Sequence, residues 1–196
     1  DRIAVGITQT GGQCRASNYI ALIKKAMIAA GFGHIPIISV THASHLTHQP
    51  GFEIDWLKMT KLLFIATMYA DCIAKMYYST AAREVVKGSA RRLRQFYIDR
   101  ANPLIINKDY DAIFHLLQTA VSEFNTVAVD PEPISKIGIV GEIYIKYNSF
   151  GNQYLAEWLI SQGVEPVIPP ILDYFTQDLV NYKENIKAHI RHRKFN

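Results

Sequence analysis

Apolar positions follow two different spacings along this chain, and the changes between them outline its elements. Short apolar runs at 2–7 and 35–40 are typical of strands, while 18–30 carries apolar residues three and four positions apart, as helices do. Strand, helix and strand in this order predict a β-α-β unit, which is right-handed in nearly all proteins. Gly31 follows the helix directly and is expected to cap its carboxyl end.

The middle of the chain is predicted to be helical, because its apolar residues recur at helical spacing over three stretches. We place these helices at 55–78, 83–100 and 109–124. The second helix is expected to be interrupted at Gly88, and Pro103 is expected to separate it from the third, since both residues disfavour a helix interior.

The segment 130–133, Asp-Pro-Glu-Pro, is the best linker candidate, because two prolines in three residues favour an extended connection. After this linker the first pattern returns. The predicted elements are strands at 136–141 and 165–168, a polar loop at 142–151, a helix at 152–162 and a final helix at 175–192.

These elements predict an α/β fold in which two Rossmann-like strand-helix-strand units are joined by a helical segment. We expect the end part of a first α/β domain at 1–45, the helical segment at 46–130 and the second α/β unit at 131–196. Because the chain starts with Asp1 at the edge of an apolar strand, we expect it to be a fragment of a longer protein.

Composition narrows the class of protein. The 196 residues are 49% hydrophobic and 19% charged, which predicts a packed core rather than disorder. A net charge of +4 suits phosphate-bearing ligands without requiring nucleic acid, and we find no motif that reads a nucleic-acid groove. Two cysteines, no signal peptide and no apolar run long enough for a membrane span favour a cytoplasmic location.

The most informative segment is 8–15, Thr-Gln-Thr-Gly-Gly-Gln-Cys-Arg, which lies between the first strand and the first helix. Open α/β sheets bind ligands at this kind of turn. Gly11 and Gly12 allow a ligand to approach the backbone closely, and Arg15 should favour the thiolate form of Cys14. Thiolate binds soft metals and iron–sulfur clusters, so Cys14 is the candidate metal ligand. The alternative is a plain flexible turn with ordinary surface contacts.

The loop after the third strand, 142–148, is the counterpart of this segment in the second unit. Lys146, Tyr147 and Asn148, together with Glu142, are candidates to bind a cofactor, since charge and hydrogen bonds hold phosphate or carboxylate groups. The alternative is a polar cap over the end of the sheet.

Other candidate residues have simpler interpretations. Cys72 lies among apolar neighbours in a predicted helix and is expected to be a small core residue. A zinc site at His42, His45 and His48 is less favoured than a polar surface loop. The basic run 91–94 is expected to be a solvated helix face, with docking of an acidic partner or of coenzyme A phosphates as the alternative.

Two long motifs carry a family resemblance. The segments 8–19 and 36–40 resemble the large activator proteins associated with 2-hydroxyacyl-CoA dehydratases, also called the 2-hydroxyglutaryl-CoA dehydratase activator family. The segments 138–148, 151–152 and 169–175 are similar to the same family, whereas the helical middle is generic.

The resemblance implies a region like the dehydratase D-component, built from Rossmann-like α/β domains. It implies an iron–sulfur cluster held by cysteines, and partners that are an acyl-CoA dehydratase or ATPase domains of the same parent chain. Among the cysteines present, Cys14 falls in a cysteine-bearing motif of the family, so other ligands are expected outside this sequence. The alternative, from Arg15 and Lys146, is an α/β domain that binds acyl-CoA or another phosphate-bearing molecule without redox chemistry.

Overall fold

The computed structural model describes residues 3–9, 18–41, 56–174, 176–177, 181 and 186. Most of this structure is helical, with few strands. The chain divides into two compact units, Asp1–Trp56 and Leu57–Asn196, so the helical middle and the second strand-helix-strand pattern belong to the same unit.

The first unit contains the predicted strand, helix and strand. They are β1 (Val5–Gln9), α1 (Tyr19–Ala29) and β2 (Ile37–Thr41), and the two strands pair in parallel, with Val5 opposite Ile37. The Ile37 side chain is buried, as expected for an apolar strand residue. Gly31 has a φ of +83° just after α1, a left-handed conformation that glycine adopts without strain, so the predicted cap is confirmed.

Three helices build the core of the second unit. They are α2 (Trp56–Ala81), α3 (Ser89–Ile106) and α4 (Tyr110–Thr126). Along α2 the buried side chains repeat every fourth residue, which places them on one line facing α3 and α4. The buried residues of this core are Ile65, Tyr69, Ile73, Tyr77, Ala81, Ala90, Tyr97, Ala101, Ile113, Ala120 and Phe124.

The position of Pro103 differs from the prediction, because this proline lies inside α3 rather than between two helices. It lies near the carboxyl end of α3, so the missing N–H affects only the last turns of the helix. The separation comes instead at Lys108, with a left-handed φ of +57°, and at Asp109. The Asp109 side chain accepts a hydrogen bond from the Ala112 N–H at 3.1 Å and thereby starts α4.

The predicted start of the second helix at residue 83 is also wrong, since α3 begins only at Ser89. The buried Glu84 carboxylate accepts hydrogen bonds from the Gly88 N–H at 2.5 Å and the Ala90 N–H at 2.7 Å. Glu84 therefore caps α3 from outside the helix, and Gly88, with a φ of +86°, provides the turn between them.

The second strand-helix-strand pattern is short. Strands β3 (Lys136–Gly138) and β4 (Glu165–Val167) pair in parallel, and Gly163, with a φ of +72°, precedes β4. The predicted polar loop between them contains a helix, α5 (Ile143–Tyr147), and the helix predicted from 152 begins later, as α6 (Leu155–Ser161). Residues 171–174 are helical, and most of the helix predicted at 175–192 lies outside the described residues.

Apolar contacts hold this short sheet to the rest of its unit. Ala156 and Leu159 of α6 pack with Ile139, and the half-buried Tyr78 of α2 packs against both this cluster and the helical core. The described part of the chain is thus a mostly helical structure with two small parallel sheets, and the two Rossmann-like units of the predicted fold class stay a prediction.

Candidate functional site

The two motifs found in the sequence follow the carboxyl ends of β1 and β3. Strand β1 ends at Gln9, and the next described residue is Asn18, just before α1. Gly11, Gly12, Cys14 and Arg15 therefore fall outside the described residues, as do His42, His45 and His48.

The loop after β3 is described throughout, and it begins with a capping interaction. Gly141 has a φ of +141°, and the next residue, Glu142, accepts a hydrogen bond from the Ile145 N–H at 3.1 Å. Glu142 is thus the N-cap of α5, a role in which a side-chain oxygen satisfies an N–H at the start of a helix. This contact explains a carboxylate at this position without a ligand.

Tyr147 ties the end of α5 to the segment that follows β4. Its hydroxyl donates to the Pro169 carbonyl at 2.8 Å and lies 3.2 Å from the Pro170 carbonyl. Burial raises the pKa of Tyr147, and the nearby carboxylates of Asp71 and Asp173 raise it further. The Tyr147 hydroxyl therefore stays protonated at neutral pH and acts as a hydrogen-bond donor.

Lys146 brings the positive charge of this loop next to an aromatic ring. Its ammonium lies 4.7 Å from the centroid of the Tyr147 ring, within the range of a cation–π contact. Such a contact orients the ammonium. Lys146 is accordingly the cationic group that this loop offers to a phosphate or carboxylate.

Asn148 and Asn152 shape the turn between α5 and α6. The Asn148 Oδ1 accepts from the Gly151 N–H at 2.7 Å. Asn152 donates through Nδ2 to the Ile145 carbonyl at 3.0 Å and accepts from the Leu155 N–H at 3.2 Å. Both amides thus stabilise the loop itself, which is the polar-cap interpretation of this segment.

Asp71 is a residue of this region that sequence reasoning missed. From α2, its carboxylate accepts hydrogen bonds from the Ile171 N–H at 3.0 Å and the Leu172 N–H at 2.9 Å. These amides begin the helical residues 171–174, where a negative charge is favourable. The only sequence signal is that Asp71 is the single acidic residue of α2, and this does not reveal a partner one hundred residues away.

A second polar group that sequence reasoning missed consists of Tyr78 on α2, Arg94 on α3 and Glu157 on α6. Burial raises the pKa of Tyr78, the Glu157 carboxylate raises it further, and the Arg94 guanidinium opposes the shift. The Glu157 Oε2 atom is buried and has no hydrogen-bond partner among the described residues. Arg94 also lies 4.9 Å from the centroid of the Tyr77 ring.

Two further arginines of α3 contact side chains of the same helix. Arg92 donates to the Ser89 hydroxyl at 3.1 Å, and Arg100 lies 4.7 Å from the Phe96 ring centroid.

An open groove of about 820 Å³ runs between α3 and α4, and Phe96 and Arg100 contribute to its walls. Its lining includes no residue of the loop after β3, so the groove is separate from the sequence-predicted site.

Cys72 is a free, half-buried thiol on α2, and burial raises its pKa, which disfavours the thiolate that a metal needs. Within 3–9, 18–41 and 56–174, no three His, Cys, Asp or Glu side chains are grouped closely enough to hold a metal ion. None of the described helices is long and apolar enough to cross a membrane.

Comparisons with protein-family models, with curated proteins and with solved structures find no match for this chain.

Proposed function

We propose that this chain is a dehydratase-like region of a 2-hydroxyacyl-CoA dehydratase activator-type protein, with a role in iron–sulfur-linked electron transfer or in partner docking. In this proposal the two strand-helix-strand patterns belong to Rossmann-like units, and the loop after β1 provides Cys14 to an iron–sulfur cluster. The remaining ligands come from elsewhere in the parent protein, since such clusters are generally held by several thiolates.

One structural observation supports the proposal most strongly. Each motif directly follows the first strand of a parallel pair, at the carboxyl end where open α/β sheets bind their ligands. The two motifs are far apart in sequence, yet they occupy equivalent positions in their own strand-helix-strand patterns.

In this proposal the two loops have different roles. Glu142, Tyr147 and Asn148 are engaged in hydrogen bonds that shape the second loop, so its polar side chains serve mainly to hold a rigid surface. Cys14 and Arg15 belong to the first loop, which is thus the proposed source of metal-binding and charged groups.

Anaerobic reconstitution with iron and sulfide tests this function in the full-length natural protein that contains the chain. We expect iron–sulfur absorption in the wild type and a clear loss of it in Cys14→Ser. Cys72→Ser is the matched control, because its thiol lies on α2 outside both motifs and should leave the absorption unchanged. Equal absorption in wild type and Cys14→Ser would remove Cys14 as a ligand.

A second candidate function is binding of an acyl-CoA, or of another phosphate-bearing small molecule, without redox chemistry. The observation in its favour is the ammonium of Lys146, held beside the Tyr147 ring in the loop after β3. Calorimetry with coenzyme A thioesters should then show binding that weakens in Arg15→Ala and in Lys146→Ala. Lys75→Ala, at an exposed position of α2, is the control, and absence of binding by the wild type would reject this candidate.

A further inference from the structure

The groove between α3 and α4 continues along most of the length of the two helices. A second hollow of about 450 Å³ adjoins the one of about 820 Å³, and Phe96 contributes to the walls of both. Ser89 at the start of α3 lines the same hollow as Thr126 at the end of α4, while Leu104 lines the other together with Ala112. The two helices are therefore antiparallel. The two hollows form one α3–α4 groove, about 23 Å long from Ser89 to Leu104 at 1.5 Å per residue.

This groove occupies a side of α3 other than the side that packs on α2. Tyr97 and Ala101 belong to the core and are buried, whereas Phe96 is 44% exposed, and Arg92 and Arg100 are exposed as well. Residues four positions apart share one face of a helix, so Arg92, Phe96 and Arg100 form a line along the groove. Among the described residues, the walls come from α3, α4 and the residue after α4, and no other element covers them.

The two walls carry opposite charge. Helix α3 contains four arginines and one aspartate, a net charge of +3, and α4 contains one aspartate and one glutamate, a net charge of −2 with its histidine counted as neutral. Arg92 and Arg100 lie on the α3 wall and Glu123 on the α4 wall. Within the described part of the chain, the two arginines contact a hydroxyl and an aromatic ring but no carboxylate, and Asp99 accepts from the Gln95 amide at 2.9 Å. A surface with one cationic and one anionic helix is complementary to a second copy of itself.

We propose that a second copy of this chain docks in the α3–α4 groove, related to the first by a two-fold axis parallel to the helices, so that α3 of each copy lies against α4 of the other. Residues that line the same part of the groove then meet across the interface. Arg92 of one copy faces Glu123 of the other, Phe96 meets Leu116, and the four helices form an antiparallel bundle. A foreign helix of one charge sign fits less well, because one of the two walls would repel it.

The size of this surface sets the strength of the association. A face about 23 Å long and two helices wide, about 20 Å, covers roughly 460 Å² on each copy. This area is at the low end for specific interfaces, so the dimer is expected to be reversible.

Sedimentation equilibrium of the full-length natural protein that contains the chain tests this surface. We expect a reversible monomer–dimer equilibrium in the wild type. Arg92→Glu and Glu123→Arg should each weaken the dimer by about ten-fold or more, because each places like charges together at two symmetric positions. Arg91→Glu makes the same change of charge on α3 at an exposed position outside the groove, so it is the matched control and should stay within about two-fold of wild type.

An equimolar mixture of the two weakened variants makes the test specific to contacts between copies. In a mixed dimer the new carboxylate at position 92 faces the new guanidinium at position 123, and the other Arg92–Glu123 contact is unchanged. The mixture should therefore dimerise within about three-fold of wild type, which a contact inside one copy cannot produce. A wild type that stays monomeric, a dimer equally strong in every variant, or a mixture no stronger than its components would overturn the proposal.

Discussion

The segment after β4 is held from two sides, and removing either contact should loosen it. Asp71 accepts hydrogen bonds from the Ile171 and Leu172 amides at 3.0 and 2.9 Å, while the Tyr147 hydroxyl donates to the Pro169 carbonyl at 2.8 Å. The segment thereby connects α2 to α5. We expect Asp71→Ala and Tyr147→Phe each to destabilise the second unit.

The contacts set the size of the two effects. A hydrogen bond to a charged acceptor contributes about 1.5–3 kcal/mol when buried, and a neutral one about 1 kcal/mol. Asp71 makes two such bonds but is only half-buried, so we expect Asp71→Ala to cost about 2–3 kcal/mol. Tyr147→Phe should cost about 1 kcal/mol, and Asp71→Asn should fall between the two because its amide oxygen can still accept one bond.

The double variant adds a sharper test, since both contacts hold the same segment. Its loss of unfolding free energy should fall short of the sum of the single losses by about 0.5 kcal/mol or more. Urea unfolding measures these free energies, and hydrogen exchange at the Ile171 and Leu172 amides reports on the segment directly. Glu132→Ala, at an exposed position, is the control and should change stability by less than about 0.5 kcal/mol. An unchanged unfolding midpoint and unchanged exchange in Asp71→Ala would refute this reasoning.

Other contacts of the second unit give further expectations. Glu84→Ala should lower the unfolding free energy by about 3 kcal/mol, because it leaves the Gly88 and Ala90 amides without their charged acceptor; urea unfolding beside Glu84→Gln, which should retain part of the effect, measures this. Gly88→Ala should cost about 1 kcal/mol or more in the same assay, since φ is +86° there. Burial, with a contribution from Tyr97, raises the pKa of Tyr69 to about 12. Its hydroxyl therefore stays protonated where that of the unfolded chain ionises, so wild-type stability should fall between about pH 10 and pH 12, and Tyr69→Phe should show a smaller fall across that range.

Local patterns were enough to predict much of the secondary structure. Apolar runs located the strands on either side of α1, and Gly31 marked the end of that helix, because a left-handed residue is needed there. Helical spacing also located α2, although its most buried residues include Ile73 and Tyr77 rather than the neighbouring Cys72 and Met76. That choice depends on where α3 and α4 pack, which spacing along one helix does not reveal.

Elements set by distant contacts were mispredicted. The start of α3 depends on the Glu84 carboxylate, and Glu84 itself is held by an isolated antiparallel β-bridge to Val129. Pro103 lies within α3 because tertiary packing on Tyr97 and Ala101 outweighs the preference of proline for helix ends. The short α5 is an exception, because its Glu142 cap is a local contact with the Ile145 N–H; a carboxylate that follows a strand equally suits a ligand-binding residue, so the cap was not predicted.

In the loop after β3, the position and the residue types were predictable from the sequence, but the contacts of the side chains were not. Its position after a strand was predictable, and so was its polar character. The partners of Tyr147, which are two prolyl carbonyls beyond β4, are set by the return of the chain in three dimensions. The same hydroxyl could have faced a ligand in another arrangement of the chain.

The dependence of an iron–sulfur centre on Cys14 is tested most directly by electron paramagnetic resonance. The sample is the full-length protein after anaerobic reconstitution and reduction, compared with its Cys14→Ser and Cys72→Ser variants. We predict a cluster signal in the wild type and in Cys72→Ser that is lost or altered in shape in Cys14→Ser, because a hydroxyl replaces a thiolate ligand. An identical signal in all three proteins, or no signal in any of them, would contradict the proposed function.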